Sequence, residues 1–256
     1  MKKMSYTCTA ILLSLLLCAC EYESPHPPMP EALDALADDD AVRFTEVSVD
    51  TWDSGSYYAF RPKDSEPRQG FIFYAGSGID VRSYAPNARD IARNGYLVVL
   101  VSMPRDTALL APDRAGTVIR DYPGIGSWAI GGHSMGGIAA CQFASGNLDD
   151  IDAVILWASH PSEANRLDAT GIAALSISAS NDGVYPDEVI ERSREHLPDD
   201  TVWVVIEGGN HFQFGWYLDD HKPTDGDAAI TREEQTAQIV QATSGFLQTI
   251  GQSPAQ

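Results

Sequence analysis

One serine lies in a pattern that could make it a nucleophile. Ser134 is the centre of a G-x-S-x-G motif within AIGGHSMGG at residues 129–137. The motif follows a predicted strand over 127–131 and precedes a predicted helix over 136–145, which is the strand–turn–helix setting it requires. A sharp turn there needs small flanking residues, exposes the serine hydroxyl, and aims the Met135 amide at an oxyanion formed on an attacked carbonyl. The motif therefore predicts acyl chemistry.

A serine hydroxyl needs a general base, and the base needs an acidic partner that orients it. Asp182 follows a predicted strand over 173–179, and His211 follows the next one, over 201–207. Because the carboxyl ends of parallel strands meet at one edge of a sheet, the three side chains are expected to lie together. His160 is the rival base, but it precedes Asp182 and so breaks the order serine, acid, histidine.

The elements that would position these residues alternate between strands and helices. Apolar runs such as YLVVLV at 96–101 are typical of strands that are covered on both faces of a parallel sheet. The predicted strands cover 42–49, 57–61, 70–74, 96–101, 127–131, 151–158, 173–179 and 201–207, and the predicted helices cover 83–94, 136–145, 186–196 and 231–250. This order predicts an α/β fold with a doubly wound, mostly parallel sheet, preceded by an antiparallel pair of strands.

The sequence resembles the α/β-hydrolase superfamily over about residues 42–250, and within it a branch related to dienelactone hydrolases that carries a G-G-N-H-x-x-F-G tail. The resemblance rests on FYAGSGIDVRSYAP, ARNGYLVVLVSMP, WAIGGHSMGG, SASNDGV and IEGGNHFQFGWY. It implies an α/β-hydrolase fold with Ser134 as nucleophile, Asp182 as acid and His211 as base. The serine departs from dienelactone hydrolases, which use a cysteine, and this makes dienelactone a doubtful substrate.

The resemblance also implies a second oxyanion donor in the loop after the strand over 70–74. The superfamily commonly has His-Gly-X in this loop, whereas this chain has Ala75-Gly76-Ser77. Aligning Gly76 with the glycine of that pattern makes the Ser77 amide the partner of the Met135 amide, and Gly78 is the alternative. The missing histidine removes no donor, because the backbone makes the bond, but it leaves open what supports the loop.

No cap domain is expected, because only 14 residues separate positions 158 and 173. An uncapped site would be open to soluble or polymer-borne esters. Aromatic residues near the predicted strand ends are candidates for an acyl pocket, with ordinary core packing as the alternative: Trp157, His160, Phe212, Trp216 and Tyr217. His133, inside the motif, is expected to shape the turn, and Cys141 to be a small buried apolar residue.

The amino terminus predicts a lipoprotein signal peptide over 1–19. Lys2 and Lys3 precede a short apolar run, and LCAC then resembles a lipobox in which Cys20 is lipidated. The alternative is an ordinary secretory signal or an uncleaved anchor. Residues 20–41, rich in Pro, Glu and Asp, are expected to form an extended tether between a bacterial membrane and the domain over 42–256. Glu21 after the cysteine favours an outer membrane.

Charge excludes some partners. The formal net charge is −19, and such an acidic surface repels phosphate backbones, so no nucleic-acid partner is expected. The aspartates Asp219, Asp220, Asp225 and Asp227 raise the hypothesis of a metal site, but their spacing lacks the complete calcium-loop pattern. We expect no metal and no cofactor.

These observations together predict a serine hydrolase of carboxylic esters, or of related acyl compounds, held at a membrane by its lipid. The alternative is a non-catalytic binding lipoprotein that uses a hydrolase scaffold.

Overall fold

The computed structural model describes residues 22–48, 56–218 and 224–250. Its strands form one eight-stranded sheet in the order β1-β2-β4-β3-β5-β6-β7-β8. They are β1 Val42–Val47, β2 Tyr57–Pro62, β3 Gln69–Tyr74, β4 Leu97–Val101, β5 Ser127–His133, β6 Ala153–Trp157, β7 Ala173–Ala179 and β8 Val202–Ile206. β2 pairs antiparallel with β1 and β4, and all the other pairings are parallel. The predicted fold class is confirmed.

The α-helices of the described residues pack on the two faces of this sheet. They are α1 Pro30–Asp34, α2 Ala85–Arg93, α3 Ala115–Asp121, α4 Met135–Gly146, α5 Asp187–Ser193 and α6 Arg232–Ile250. The predicted helix over 83–94 begins instead as a 3-10 turn, Val81–Tyr84, that leads into α2, whose first turn contains proline. Helix α3 was not predicted, because its seven residues include a glycine and three β-branched residues of low helix propensity.

The core lies in two layers, and β3 shows how the sequence divides between them. Phe71 and Phe73 belong to the apolar cluster that includes residues of α2 and α6. Ile72 and Tyr74 belong to the cluster on the opposite face, which includes α4. Alternate side chains of the strand are thus buried on opposite faces, as period-two geometry requires. This double cover leaves the carboxyl edge of the sheet as the place where loops can carry polar side chains.

No cap covers that edge between β6 and β7. Residues 159–172 contain a single 3-10 turn, Glu163–Asn165, and otherwise irregular chain. The absence of a cap is therefore confirmed. Within the described ranges, none of the helices combines the length and the apolar character needed to cross a bilayer.

Residues 22–41 differ from the expected extended tether, because they pack against the domain. His26 forms a parallel bridge with Ile79, and Pro28 forms an antiparallel bridge with Tyr217. Ala32 of α1 is completely buried. The composition of the segment indicates an extended chain, but composition does not show that this extended backbone can pair with two loops of the domain. The predicted signal peptide and Cys20 lie outside the described residues.

Candidate active site

Ser134 occupies a strained turn between β5 and α4. Its φ of 52° and ψ of −126° lie in a region that non-glycine residues rarely adopt, at a typical cost of about 1–3 kcal/mol. Neighbouring chain holds the turn: the Ser134 amide donates to the Trp157 carbonyl at 3.0 Å, and the Ser159 hydroxyl donates to the Ser134 carbonyl at 2.6 Å. Backbone strain of this kind, held by surrounding bonds, is typical of functional sites.

Two glycines permit this turn, as the sequence predicts. A Cβ on Gly136 would lie 2.3 Å from the carbonyl oxygens of Tyr74 and Ala75. A Cβ on Gly132 would lie 2.6 Å from the Tyr74 oxygen and 2.5 Å from the carbonyl carbon of Gly136. The start of α4 therefore contacts the end of β3 directly, and any side chain at either position would force these backbones apart.

The structure brings Asp182 and His211 together at the carboxyl ends of β7 and β8. Asp182 Oδ2 lies 2.8 Å from His211 Nδ1, and both side chains are buried. Asp182 Oδ1 accepts two further bonds, from the Val184 amide at 2.8 Å and the Tyr185 amide at 2.6 Å. These donors hold the carboxylate in place, and the carboxylate favours the imidazole tautomer with its proton on Nδ1. The other nitrogen, Nε2, is then free to act as a base.

Tyr185, which was not predicted from the sequence, contacts every member of the predicted triad. Its amide binds Asp182, and its ring stacks on the His211 imidazole with a centroid distance of 5.5 Å and an interplanar angle of 7°. Burial raises the pKa of the Tyr185 hydroxyl, and a hydrogen bond with the Ser134 hydroxyl acts in the opposite direction. Among the described residues there is no hydrogen bond between Ser134 Oγ and His211, whereas Ser134 is linked to Tyr185. No local pattern marks this tyrosine, whose role depends on a loop conformation.

The Asp225 carboxylate accepts hydrogen bonds from both of the loops that carry Asp182 and His211. Asp225 Oδ1 accepts from the amides of Gly183 at 3.0 Å and His211 at 3.2 Å, and Oδ2 accepts from the Phe212 amide at 2.9 Å. Its oxygens thus accept hydrogen bonds from backbone amides of both loops. No group of potential metal ligands occurs among the described residues, and Asp219 and Asp220 lie outside them.

The loop after β3 offers one amide that remains available for an oxyanion. The Gly76 amide donates to the Tyr84 hydroxyl at 3.3 Å, and the Gly78 amide donates to the Asp106 carbonyl at 2.8 Å. Within the described part of the chain, the amides of Ser77 and Met135 donate to no protein group. Since the Gly78 amide is already used, the geometry favours Ser77 over Gly78 as the second donor.

Tyr84 supports the loop after β3, in which this chain lacks the histidine common in the superfamily. Its hydroxyl accepts from the Gly76 amide and lies 2.8 Å from His133 Nδ1, so it joins the candidate oxyanion loop to the serine turn. His133 is completely buried, and this burial holds its pKa well below the usual range. A neutral His133 can accept the Tyr84 proton, which agrees with its expected role in shaping the turn.

Most of the aromatic candidates for an acyl pocket belong to the core instead. Trp157 is almost completely buried and packs 4.5 Å from the Phe73 ring. Tyr217 is also buried, and Trp216 is nearly so. His160 lies at the margin of the site, where its ring faces Tyr185 at 5.4 Å, while its Nδ1 donates to the neighbouring Pro161 carbonyl. Cys141 is buried, as expected.

A doubly wound sheet in which a strained serine leads from a central strand into a helix is the architecture of α/β hydrolases. A sequence profile of the Alpha/beta hydrolase family matches residues 70–237, which is more than half of the chain. The chain belongs to this family.

Solved structures share the fold at low sequence identity. A CIB-like hydrolase from Thermoplasma acidophilum aligns with a TM-score of 0.58 and 17% identity, over 81% of this chain and 99% of that one. A dienelactone hydrolase from Anabaena variabilis aligns with a TM-score of 0.58 and 16% identity, over 82% and 98%. An esterase, Est2, from Thermogutta terrifontis aligns with a TM-score of 0.57 and 16% identity, over 83% and 93%. No curated protein matches the chain.

Proposed function

We propose that this hydrolase cleaves carboxylic esters through an acyl-enzyme on Ser134, with His211 as base and Asp182 as its acidic partner. The observation that carries the proposal is the buried Asp182–His211 hydrogen bond of 2.8 Å, at the same sheet edge as the strained serine. An oriented base beside an exposed hydroxyl is the arrangement that serine hydrolysis requires. In the reacting enzyme, Ser134 exchanges its bond with Tyr185 for one with His211.

The reaction proceeds in two balanced halves. Ser134 Oγ attacks the ester carbonyl while its proton moves to His211 Nε2, and the amides of Met135 and Ser77 stabilise the oxyanion. When the carbon–oxygen bond to the alcohol breaks, His211 protonates the departing alcohol. Water then attacks the acyl-enzyme, gives a proton to His211, and the bond to Ser134 breaks as that proton returns to Oγ. Ester and water have become acid and alcohol.

Two observations bear on the substrate. No cap lies between β6 and β7, so bulky or polymer-borne acyl groups can reach the site as well as small esters. The structural neighbours include an esterase and a dienelactone hydrolase, which is consistent with acyl substrates. Lactones and thioesters would use the same groups.

The test is removal of the nucleophile. Ser134→Ala is expected to lower kcat on p-nitrophenyl butyrate by roughly 10⁶-fold, the loss typical of a deleted serine nucleophile, with unchanged thermal stability. Ser145→Ala, in the same helix, is the matched control and is expected to keep full activity. A fluorophosphonate probe should label the wild-type protein on Ser134, and activity should survive a chelator.

Two outcomes would contradict the proposal. Full activity in Ser134→Ala would exclude this serine as the nucleophile. A wild-type protein that is folded, unlabelled by the probe and inactive on a panel of esters would support the non-catalytic scaffold instead.

We also propose that lipid on Cys20 anchors the protein, outside the cytoplasm, to a bacterial membrane, with the outer membrane favoured in a cell that has two. The lipobox-like LCAC sequence supports the anchor, and Glu21, in place of the aspartate associated with inner-membrane retention, favours the outer membrane. Metabolic labelling with palmitate should be lost in Cys20→Ser, with release of the protein from the membrane fraction. Retention and labelling of Cys20→Ser would exclude the anchor.

A further inference from the structure

The chain enters the domain beside the candidate oxyanion loop. The Ser24 hydroxyl donates to the Gly78 carbonyl at 3.1 Å, and the His26 amide donates to the same oxygen at 3.0 Å. The Gly78 amide in turn donates to the Asp106 carbonyl at 2.8 Å. The first described residues are therefore bonded to the residue that follows Ser77, on the edge of the sheet that carries Ser134.

The proposed attachment at Cys20 is only a short length of chain from this point. Three residues separate Cys20 from Ser24, and the four steps along the chain allow at most about 14 Å when it is extended. If the apolar run at 10–17 were instead retained as an anchor, it would enter the domain through the same residues. Since residues 24–28 are bonded to the domain rather than forming a spacer, they add no further reach.

Exposed apolar side chains surround the same edge. Leu109 and Leu110 are 40% and 54% exposed and lie in the loop that follows β4, just after Asp106. Tyr22, 48% exposed, shares a hydrogen bond with the Asp106 side chain.

Val184, 37% exposed, follows Asp182 by two residues. Leu218, 46% exposed, donates its amide to Pro27. Five of the nine large apolar side chains that are exposed among the described residues lie at this edge. Such a concentration indicates a surface that binds a partner or a membrane.

We propose that this apolar rim, defined as Tyr22, Leu109, Leu110, Val184 and Leu218, rests on the lipid surface, so that the catalytic edge faces the membrane and acts on esters held there. The inference rests on the proposed function and on the proposed anchor. The net charge of −19 would repel anionic headgroups, so the surface that fits is electrically neutral. Beside a lipid anchor, a few inserted apolar side chains bury further apolar area in the lipid surface and so fix the orientation of the domain.

The orientation can be measured without any catalytic turnover. The full-length lipoprotein is placed in phosphatidylcholine vesicles with a thiol-reactive, polarity-sensitive dye on either Leu110→Cys or Leu148→Cys. Leu148, 43% exposed between α4 and β6, is the matched control on the opposite edge. Cys141 does not compete for the dye, because it is completely buried and burial raises the pKa of its thiol.

We expect the dye at 110 to shift to the blue and gain intensity on vesicles, and the dye at 148 to remain as in water. A shift at 148 with none at 110 would show that another face meets the membrane. No shift at either position would show that the domain stands clear of the lipid. Both of these results overturn the inference.

A kinetic comparison tests the substrate class. The double variant Leu109→Gln, Leu110→Gln should lose several-fold in turnover of a long-chain ester embedded in the vesicles and retain wild-type turnover of soluble p-nitrophenyl acetate. Leu148→Gln should change neither rate. Equal rates of the double variant and wild type on the embedded ester would overturn the inference while leaving the serine mechanism intact. Loss of soluble turnover in Ser134→Ala tests that mechanism separately.

Discussion

Replacing Asp225 by asparagine tests whether this carboxylate acts as the clamp between the two loops that carry Asp182 and His211. The new side-chain amide retains one acceptor oxygen, so the best orientation keeps the bonds from Gly183 and His211 and turns its NH2 group toward the Phe212 amide. One amide bond is then replaced by two donors that face each other, and the remaining bonds lose their charge.

The size of the effect follows from these bonds. A donor left without a partner costs about 1–3 kcal/mol, and bonds to a neutral acceptor are weaker than those to a charged one by about 1 kcal/mol. The loops should therefore lose about 2–4 kcal/mol of stability. If this cost falls entirely on the arrangement that reacts, kcat/KM decreases by about 30- to 1,000-fold, since about 1.36 kcal/mol corresponds to tenfold.

The assay is kcat/KM on p-nitrophenyl butyrate, with a thermal melt beside it. Asp227→Asn is the matched control, because this exposed aspartate offers only its backbone carbonyl, to Asn181, within the described residues. We expect Asp227→Asn to behave as wild type, and a chelator to change neither protein. Wild-type kcat/KM and melting temperature in Asp225→Asn would refute the clamp. Loss of wild-type activity on treatment with a chelator would show instead that the aspartates hold a metal.

Three further substitutions test the surroundings of the serine. Tyr185→Phe removes the hydrogen bond that Ser134 must lose before it can pair with His211, so kcat on the same ester should rise by about 2- to 10-fold. A kcat below that of wild type would show instead that the tyrosine assists the reaction. Tyr84→Phe leaves the buried His133 Nδ1 and the Gly76 amide without their hydrogen-bond partner. The melting temperature should therefore fall by roughly 5–10 °C, and labelling by the fluorophosphonate probe should slow. A melting temperature equal to that of wild type would contradict this. Gly136→Ala forces the carbonyl oxygens of Tyr74 and Ala75 away from the new methyl group and should abolish labelling by the probe. The matched control is Gly146→Ala, whose new methyl group lies in open space, and this variant should be labelled like wild type. Normal labelling of Gly136→Ala would refute the argument from close contact.

Much of the fold could be predicted from local sequence. Apolar runs of five or six residues predict strands that are buried on both faces of the sheet. The turn from strand through serine to helix can be predicted because its glycines fit where no larger residue can. The pairing of Asp182 with His211 could be inferred because both follow parallel strands, and such strands end at one edge. Helix α3 was missed, because its formation depends on packing rather than on its own propensity.

The contacts that complete the site depend on residues far apart in the chain. Asp225 and Tyr84 bond to backbone amides whose positions are set by other loops, so neither residue type nor spacing reveals them. The same holds for residues 22–29, whose composition indicates a free tether but whose backbone pairs with the loops at Gly78 and Tyr217. The periodicity of burial and the steric limits on a turn depend on residues that are neighbours in the sequence. These hydrogen bonds, in contrast, form only once the sheet has brought distant loops to one edge.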